Sequence, residues 1–117
     1  MSLNKVMLIG NVGREPEVKF VAESKVATFT LATSEKYKER STGQMKEKTE
    51  WHNIVAWRNA AELVEKYVHS GSLLYIEGSI QTRKWKDQNG SDRYSTEINA
   101  QTIQLLGRKA DSQEGPI

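Results

Sequence analysis

The chain has 117 residues, enough for one hydrophobic core and not for two. Hydrophobic residues make up 37% and charged residues 27%, and the formal net charge is only +2. That excludes a histone-like polycation, so a basic surface has to be made by placement. With no cysteine, a disulfide framework, a thiolate zinc site and thiol catalysis are also excluded.

The first residues, Met1-Ser2-Leu3-Asn4-Lys5, carry no apolar signal segment, and no apolar run approaches the ~20 residues of a membrane helix, so the cytoplasm is the expected compartment. Val6 to Gly10 is a short continuous apolar run, the pattern of a strand covered on both faces. Gly13-Arg14-Glu15-Pro16 breaks it, and Glu17 to Phe20 reads as a short extension. Val26 to Thr33 alternates, with Ala27, Phe29 and Leu31 on one face, and its β-branched content supports a strand. The polar stretch from Ser34 to Lys48, with Ser41-Thr42-Gly43 as its turn, predicts a long hairpin arm; Thr49 to Trp57 is the next strand.

One helix follows. Asn59 is the expected N-cap with Glu62 three residues on, and Ala60, Leu63, Val64, Tyr67 and Val68 form the predicted apolar stripe, ended by Gly71. Leu73 to Ile80 predicts a strand with Leu74, Ile76 and Ile80 on one face, and Gly78 within it marks a bulge or bend. Asn89-Gly90 predicts a second hairpin between Trp85-Lys86 and Arg93-Tyr94, and Thr96-Glu97-Ile98 and Thr102 to Leu106 close the sheet. This order fits an all-β OB-fold: a five-stranded Greek-key barrel with one α-helix between strands three and four and long hairpin arms. The domain is expected over residues 1–106, with 107–117 as a short disordered tail.

Four aromatic residues stand among charges and amides: Tyr37 between Lys36 and Lys38, Trp51 in Thr49-Glu50-Trp51-His52-Asn53, Trp57 before Arg58-Asn59, and Trp85 in Arg83-Lys84-Trp85-Lys86. A core ring has apolar neighbours on its own face, because its value comes from area removed from water. Rings interleaved with cations suit stacked bases on a phosphate backbone instead. Strand alternation puts Trp51, Asn53, Val55 and Trp57 on one face, the two tryptophans roughly 20 Å apart, and Ile54 and Ala56 on the other. The competing arrangement has the tryptophans inside and Ile54 outside; a narrow barrel interior weighs against it. Tyr37 reads equally well as an ordinary hairpin residue.

Arg83, Lys84, Lys86 and Arg93 face only Asp87 and Asp92 within their arm and are the expected phosphate contacts. The cations of the first arm, Arg40 among them, are interleaved with Glu35, Glu39, Glu47 and Glu50 and read mostly as solvated surface. His52 and His69 lack metal-ligand spacing, and Gly10-Asn11-Val12-Gly13 lacks the Lys-Ser/Thr of a phosphate loop, so neither metal nor cofactor is expected. No spacing requires catalysis. A small hydrolase around Glu50 and His52 is the enzymatic alternative, though that face also carries Ile54 and Ala56.

Several segments together are specific. Asn4 to Gly13 followed by Glu15-Pro16-Glu17-Val18, then Leu31-Ala32-Thr33-Ser34-Glu35, Thr49-Glu50-Trp51-His52, Tyr75-Ile76-Glu77-Gly78, Thr82-Arg83-Lys84-Trp85 and Asp92-Arg93-Tyr94, resemble bacterial single-stranded DNA-binding proteins from about residue 3 to residue 106. The resemblance implies an OB-fold assembled as a homotetramer that coats single-stranded DNA in replication, recombination and repair. It places Tyr37, Trp51, Trp57 and Trp85 at base-stacking positions and Lys5, Arg40, Arg83, Lys84 and Arg93 near backbone-contacting cations. Family members usually end in an acidic tip with a Pro-aromatic pair that recruits replication and repair proteins; this chain ends Gly115-Pro116-Ile117, so that recruitment is expected only with a fuller tip. An OB-fold RNA-binding protein or a primosome accessory is the alternative reading.

Overall fold

The computed structural model describes residues 1–108, and the expected tail from residue 109 onward lies outside them. The elements run β1 (Val6–Val12), β2 (Glu17–Val21), β3 (Ser24–Lys38), β4 (Met45–Trp57), α1 (Asn59–Tyr67), β5 (Ser72–Lys86) and β6 (Asp92–Arg108). They form one sheet in the order β1-β5-β6-β4-β3-β2, and an additional β1–β3 pairing closes β1, β3, β4, β5 and β6 into a barrel. The helix falls between the third and fourth barrel strands, as expected of an OB-fold. All ladders are antiparallel except β4–β6, where Ile54, Val55 and Ala56 run beside Ile98, Asn99 and Ala100. β6 continues to Arg108, and Gly107 pairs with Leu73. No described helix is long and apolar enough to cross a membrane.

Alternation decides what is inside. Ala27, Phe29 and Leu31 from β3, Ile54 and Ala56 from β4, Leu74 and Ile76 from β5, and Ile98 and Ala100 from β6 form the buried core. The tryptophans of β4 are therefore outside, and the arrangement with Ile54 exposed is ruled out. Gly78 sits where β5 and β6 change register, between Glu77↔Thr102 and Gly78↔Ala100. A Cβ there would meet the Asn99 carbonyl oxygen at 2.1 Å, so only glycine lets the two backbones approach at this bend. Beyond it the expected apolar face of β5 ends: Leu74 and Ile76 are buried, but Ile80, two residues past the last β1–β5 pair at Val6↔Gly78, is exposed.

β2 is more than an extension of β1. It turns back on β3 from Glu17↔Thr28 to Val21↔Ser24. The two-residue turn, Ala22-Glu23, has φ of 50° and 69°. Both lie in the left-handed region that primed hairpin turns require, without the Asn or Gly that advertises such turns.

The helix begins differently from expectation. Its N-cap is Arg58, at φ 55° and ψ −114° with no side-chain cap bond, and Asn59 is already helical. The Arg58 N–H still donates to the Lys25 carbonyl (2.8 Å), prolonging the β3–β4 ladder, so the chain turns abruptly at that residue. Glu62 does not fold back on the cap; it pairs with Lys25 at 2.8 Å. The buried helical residues are Ala61 and Val64, joined by Val68, the extended C-cap just past the helix, with Ala60 and Leu63 partly buried at the margin; Tyr67 is exposed.

Candidate nucleic-acid interface

On β4, Trp51 is 57% exposed and Trp57 39% exposed, with Asn53 exposed and Val55 buried between them. Their β3 partners on the same face are Ala32, Thr30, Thr28 and Val26. These side chains are small, so the indoles stand proud of a low floor. Gly13 lies against Trp51: a Cβ at Gly13 would fall 2.8 Å from Cζ3 of the indole and 2.6 Å from the Thr30 hydroxyl. The bare backbone of Gly13 thus forms the seat for that ring.

The β5–β6 arm makes the facing wall. Its register pairs Arg83↔Ser95 and Trp85↔Arg93 on one face, and Lys84↔Tyr94 and Lys86↔Asp92 on the other. The Trp85 indole N–H donates to the Ser95 hydroxyl at 3.0 Å, which fixes the ring plane while leaving it 40% exposed. Between the walls lies a groove of about 510 Å³, lined by Thr28, Thr30, Asn53 and Val55 on the floor, by Arg14, Glu15, Glu17 and Lys19 at one edge and by Arg83, Ser95 and Glu97 at the other. Trp57 stands beyond it, in a depression with Arg58, Asn59, Asn99 and Gln101 beside the start of α1.

Three of the four expected rings therefore share one surface region, Trp51 and Trp57 on the barrel and Trp85 on the arm. Tyr37 does not join Trp51. It pairs with Lys46, in unbroken register with Ala32↔Trp51, and five residues of alternation put it on the opposite face of the β3–β4 arm, 48% exposed.

The expected phosphate cations are dispersed. Arg83 and Arg93 share the face of Trp85, whereas Lys84 is on the reverse. Most are held by acids: Arg83 by Glu97 at 3.3 Å, Lys84 by Asp92 at 3.2 Å, and Arg93 by Asp87 at 2.8 Å. Glu97 is an acid that reading the arm from residue 83 to residue 93 does not reveal. Lys5 sits on the β1–β5 wall, 3.0 Å from Glu77 and outside the groove lining. Arg40 is exposed at the tip of the first arm. Among the described residues no carboxylate lies within 4.0 Å of it, nor of Arg14 or Lys19.

Hydrogen bonding sets the acids' charge. The Arg93 guanidinium, with the N–H groups of Ser91 and Asn89, holds the Asp87 carboxyl below the usual aspartate range. The Tyr75 hydroxyl, then Lys5, holds Glu77 down in the same way. The Ser70 backbone N–H does so for Glu15. Each of these carboxylates is ionised at neutral pH. In the Arg83–Glu97 and Arg93–Asp87 pairs the guanidinium is open to solvent while the carboxylate is largely covered, so a phosphate can approach the cation from the solvent side.

Arg14, Lys19 and Ser95, which line the groove, and Gly13, which seats the Trp51 ring, carry no site role in the sequence pattern. A signal existed for Lys19, since Glu17 and Lys19 alternate onto one face of a β-type segment. Arg14 and Gly13 read only as a chain break.

A barrel whose outer face carries exposed indoles over small residues, with cations and carboxylates interleaved along the groove edges, defines an OB-type binder of single-stranded nucleic acid. The profile of the single-strand binding protein family matches residues 3–106, and the chain belongs to that family. Among solved structures, it is similar to the single-strand binding protein of Plasmodium falciparum in its complex with single-stranded DNA, at 43% identity and a TM-score of 0.82, over 91% of this chain and 97% of that one. Family membership makes binding of single-stranded DNA the function of this barrel.

Proposed function

We propose that this chain binds single-stranded DNA without base code, by stacking bases on Trp51, Trp57 and Trp85 and neutralising phosphates from the rim of the groove between them. The observation that carries this is the placement of Trp51 and Trp57 on the outer face of β4, with Trp85 on the wall across the groove. Exposing three indoles forfeits burial that folding would otherwise use, and a base stack recovers it. Arg83 and Arg93, beside Trp85, take phosphates by exchanging Glu97 and Asp87 for them; Arg14 and Lys19 supply charge from the opposite rim. Lys84, Lys5, Arg40 and Tyr37 contact DNA that leaves the groove around the arms and the barrel wall. The protein acts by coating strands exposed in replication, recombination and repair, in the cytoplasm, and performs no chemistry on them.

We further infer a homotetramer. Met7 and Ile9 are 64% and 59% exposed on β1, and the β1–β5 register sets them beside Glu77 and Tyr75, with Leu73 next along. A single barrel leaves this apolar strip in water, and association covers it. Four grooves within reach of one strand then bind with avidity. Partner proteins are recruited by a fuller acidic C-terminal tip where one exists.

The test is competition for a labelled oligo-dT with light-scattering mass measured on the same sample. Unlabelled oligo-dT should compete well, duplex DNA of equal length poorly and oligo-rU more weakly than oligo-dT, at four times the chain mass of 13.3 kDa. Preference for oligo-rU would point to an RNA-binding role, and a monomeric mass at micromolar protein would remove the tetramer.

A further inference from the structure

Glu15 poses a problem for any groove that takes phosphates. Its carboxylate lines the groove beside Glu17, where charge alone works against a polyanion. Its hydrogen bonds indicate what it does there. One oxygen accepts the Ser70 backbone N–H at 2.8 Å, and the other lies 3.4 Å from Nδ1 of His69. These residues belong to the turn between α1 and β5, far away in sequence.

The same turn grips the chain just before Glu15. The Ser70 hydroxyl donates to the Gly13 carbonyl at 2.6 Å, and the Gly71 N–H donates to the Val12 carbonyl at 2.9 Å. Asn11 donates its amide to the Gly71 carbonyl at 3.2 Å. On its other side Gly13 donates to the Thr30 carbonyl at 2.9 Å. Gly13 is thus clamped between the α1–β5 turn and β3, and the Trp51 ring edge rests on it. Trp51, Gly13, Ser70 and Gly71 also border one further cavity, so the ring has open space beside its seat.

We propose that Glu15 is a positioning residue for single-stranded DNA: by clasping the His69-Ser70 turn it holds Gly13 against the Trp51 indole and so fixes the ring at its stacking angle. This rests on Trp51 being a stacking ring. Loss of the clasp leaves Gly13 bonded to Thr30 and to the Ser70 hydroxyl but removes the side chain that braces the His69-Ser70 turn, so the seat of the ring loosens and part of the stacking energy is spent on ordering it again.

Charge and clasp predict opposite signs. Removing a carboxylate from a phosphate groove tightens binding if charge alone matters, whereas losing the clasp weakens it. Glu15→Gln removes the charge but keeps an amide oxygen able to accept from Ser70; Glu15→Ala removes both. The affinities of both variants, of Trp51→Ala and of Glu15→Ala/Trp51→Ala are measured by anisotropy of a dye-labelled oligo-dT at fixed salt, with thermal melts to check folding. We expect Glu15→Gln to bind at least as tightly as the parent and Glu15→Ala about fivefold more weakly, with that penalty lost in the Trp51→Ala background because the two residues act as one unit. Equal affinities for Glu15→Gln and Glu15→Ala, or the same penalty with and without Trp51, would overturn the proposal and leave the stacking reading standing. Parent-like affinity of Trp51→Ala would remove the stacking reading and this proposal with it.

Discussion

Replacing each tryptophan by alanine should give an order of effects that the fold dictates. An indole offers up to about 250 Å². With 57% of Trp51 exposed, roughly 140 Å² remains for a base, of which one face is roughly 70 Å², or about 1.8 kcal/mol at ~25 cal/mol per Å². Trp57 and Trp85, at 39% and 40%, give about 1.2 kcal/mol each by the same reasoning. Both figures fall inside the ~1–3 kcal/mol per base measured for stacking platforms, a range that comes from proteins of this general class. The expected losses of affinity are therefore roughly twentyfold for Trp51→Ala and roughly eightfold for Trp57→Ala and Trp85→Ala. The assay is anisotropy of a labelled oligo-dT, at salt high enough that the parent Kd is measured and not titrated, with melting curves to confirm folding. If Trp57→Ala or Trp85→Ala cost clearly more than Trp51→Ala, exposed ring area would not be what sets affinity and the reasoning would fail.

Gly13→Ala should weaken binding and alter Trp51 emission in a Trp57→Phe/Trp85→Phe background, because the added methyl must push the ring from its seat; unchanged emission and affinity would show the seat to be unimportant. Arg83→Ala and Arg93→Ala should each reduce the magnitude of the log–log salt slope by about 0.7, the value for one phosphate on a single strand; an unchanged slope for both would place the phosphates elsewhere. Asp87 has its carboxyl held down by Arg93 and by two tip N–H groups, so the stability it gives the second hairpin is present above the ordinary aspartate range and is lost as pH falls through its lowered value. Faster amide exchange at Asn89 and Ser91 should appear only below that ordinary range, and loss beginning near neutral pH would contradict the assignment.

Much of this was legible because two-residue alternation is unambiguous where one face is buried. Ile54 and Ala56 against Trp51 and Trp57 is such a case, and the Asn89-Gly90 turn and the Gly78 bend are local signals that the structure bears out. Other features depend on contacts that no local pattern carries. The β2 hairpin turns on Ala22 and Glu23, residues that seldom accept positive φ, so its pairing with β3 could not be read from turn chemistry. The cap moved to Arg58 because a ladder bond to Lys25 holds that residue in the sheet, a constraint from a strand more than thirty positions earlier. Tyr37 parted from Trp51 because facing residues follow the register of a whole arm, set by its tip. The clasp of Glu15 on Ser70 joins segments 55 positions apart, so a Gly-Arg-Glu-Pro break could show only that the strand ended.

The most direct test of the account is the intrinsic tryptophan emission of the parent protein during titration with oligo-dT, in parallel with a duplex of the same length. Stacking on Trp51, Trp57 and Trp85 predicts strong, saturable quenching by the single strand and little change with the duplex, whose bases cannot reach the rings. Tight binding of oligo-dT with emission unchanged, or equal quenching by the duplex, would contradict it.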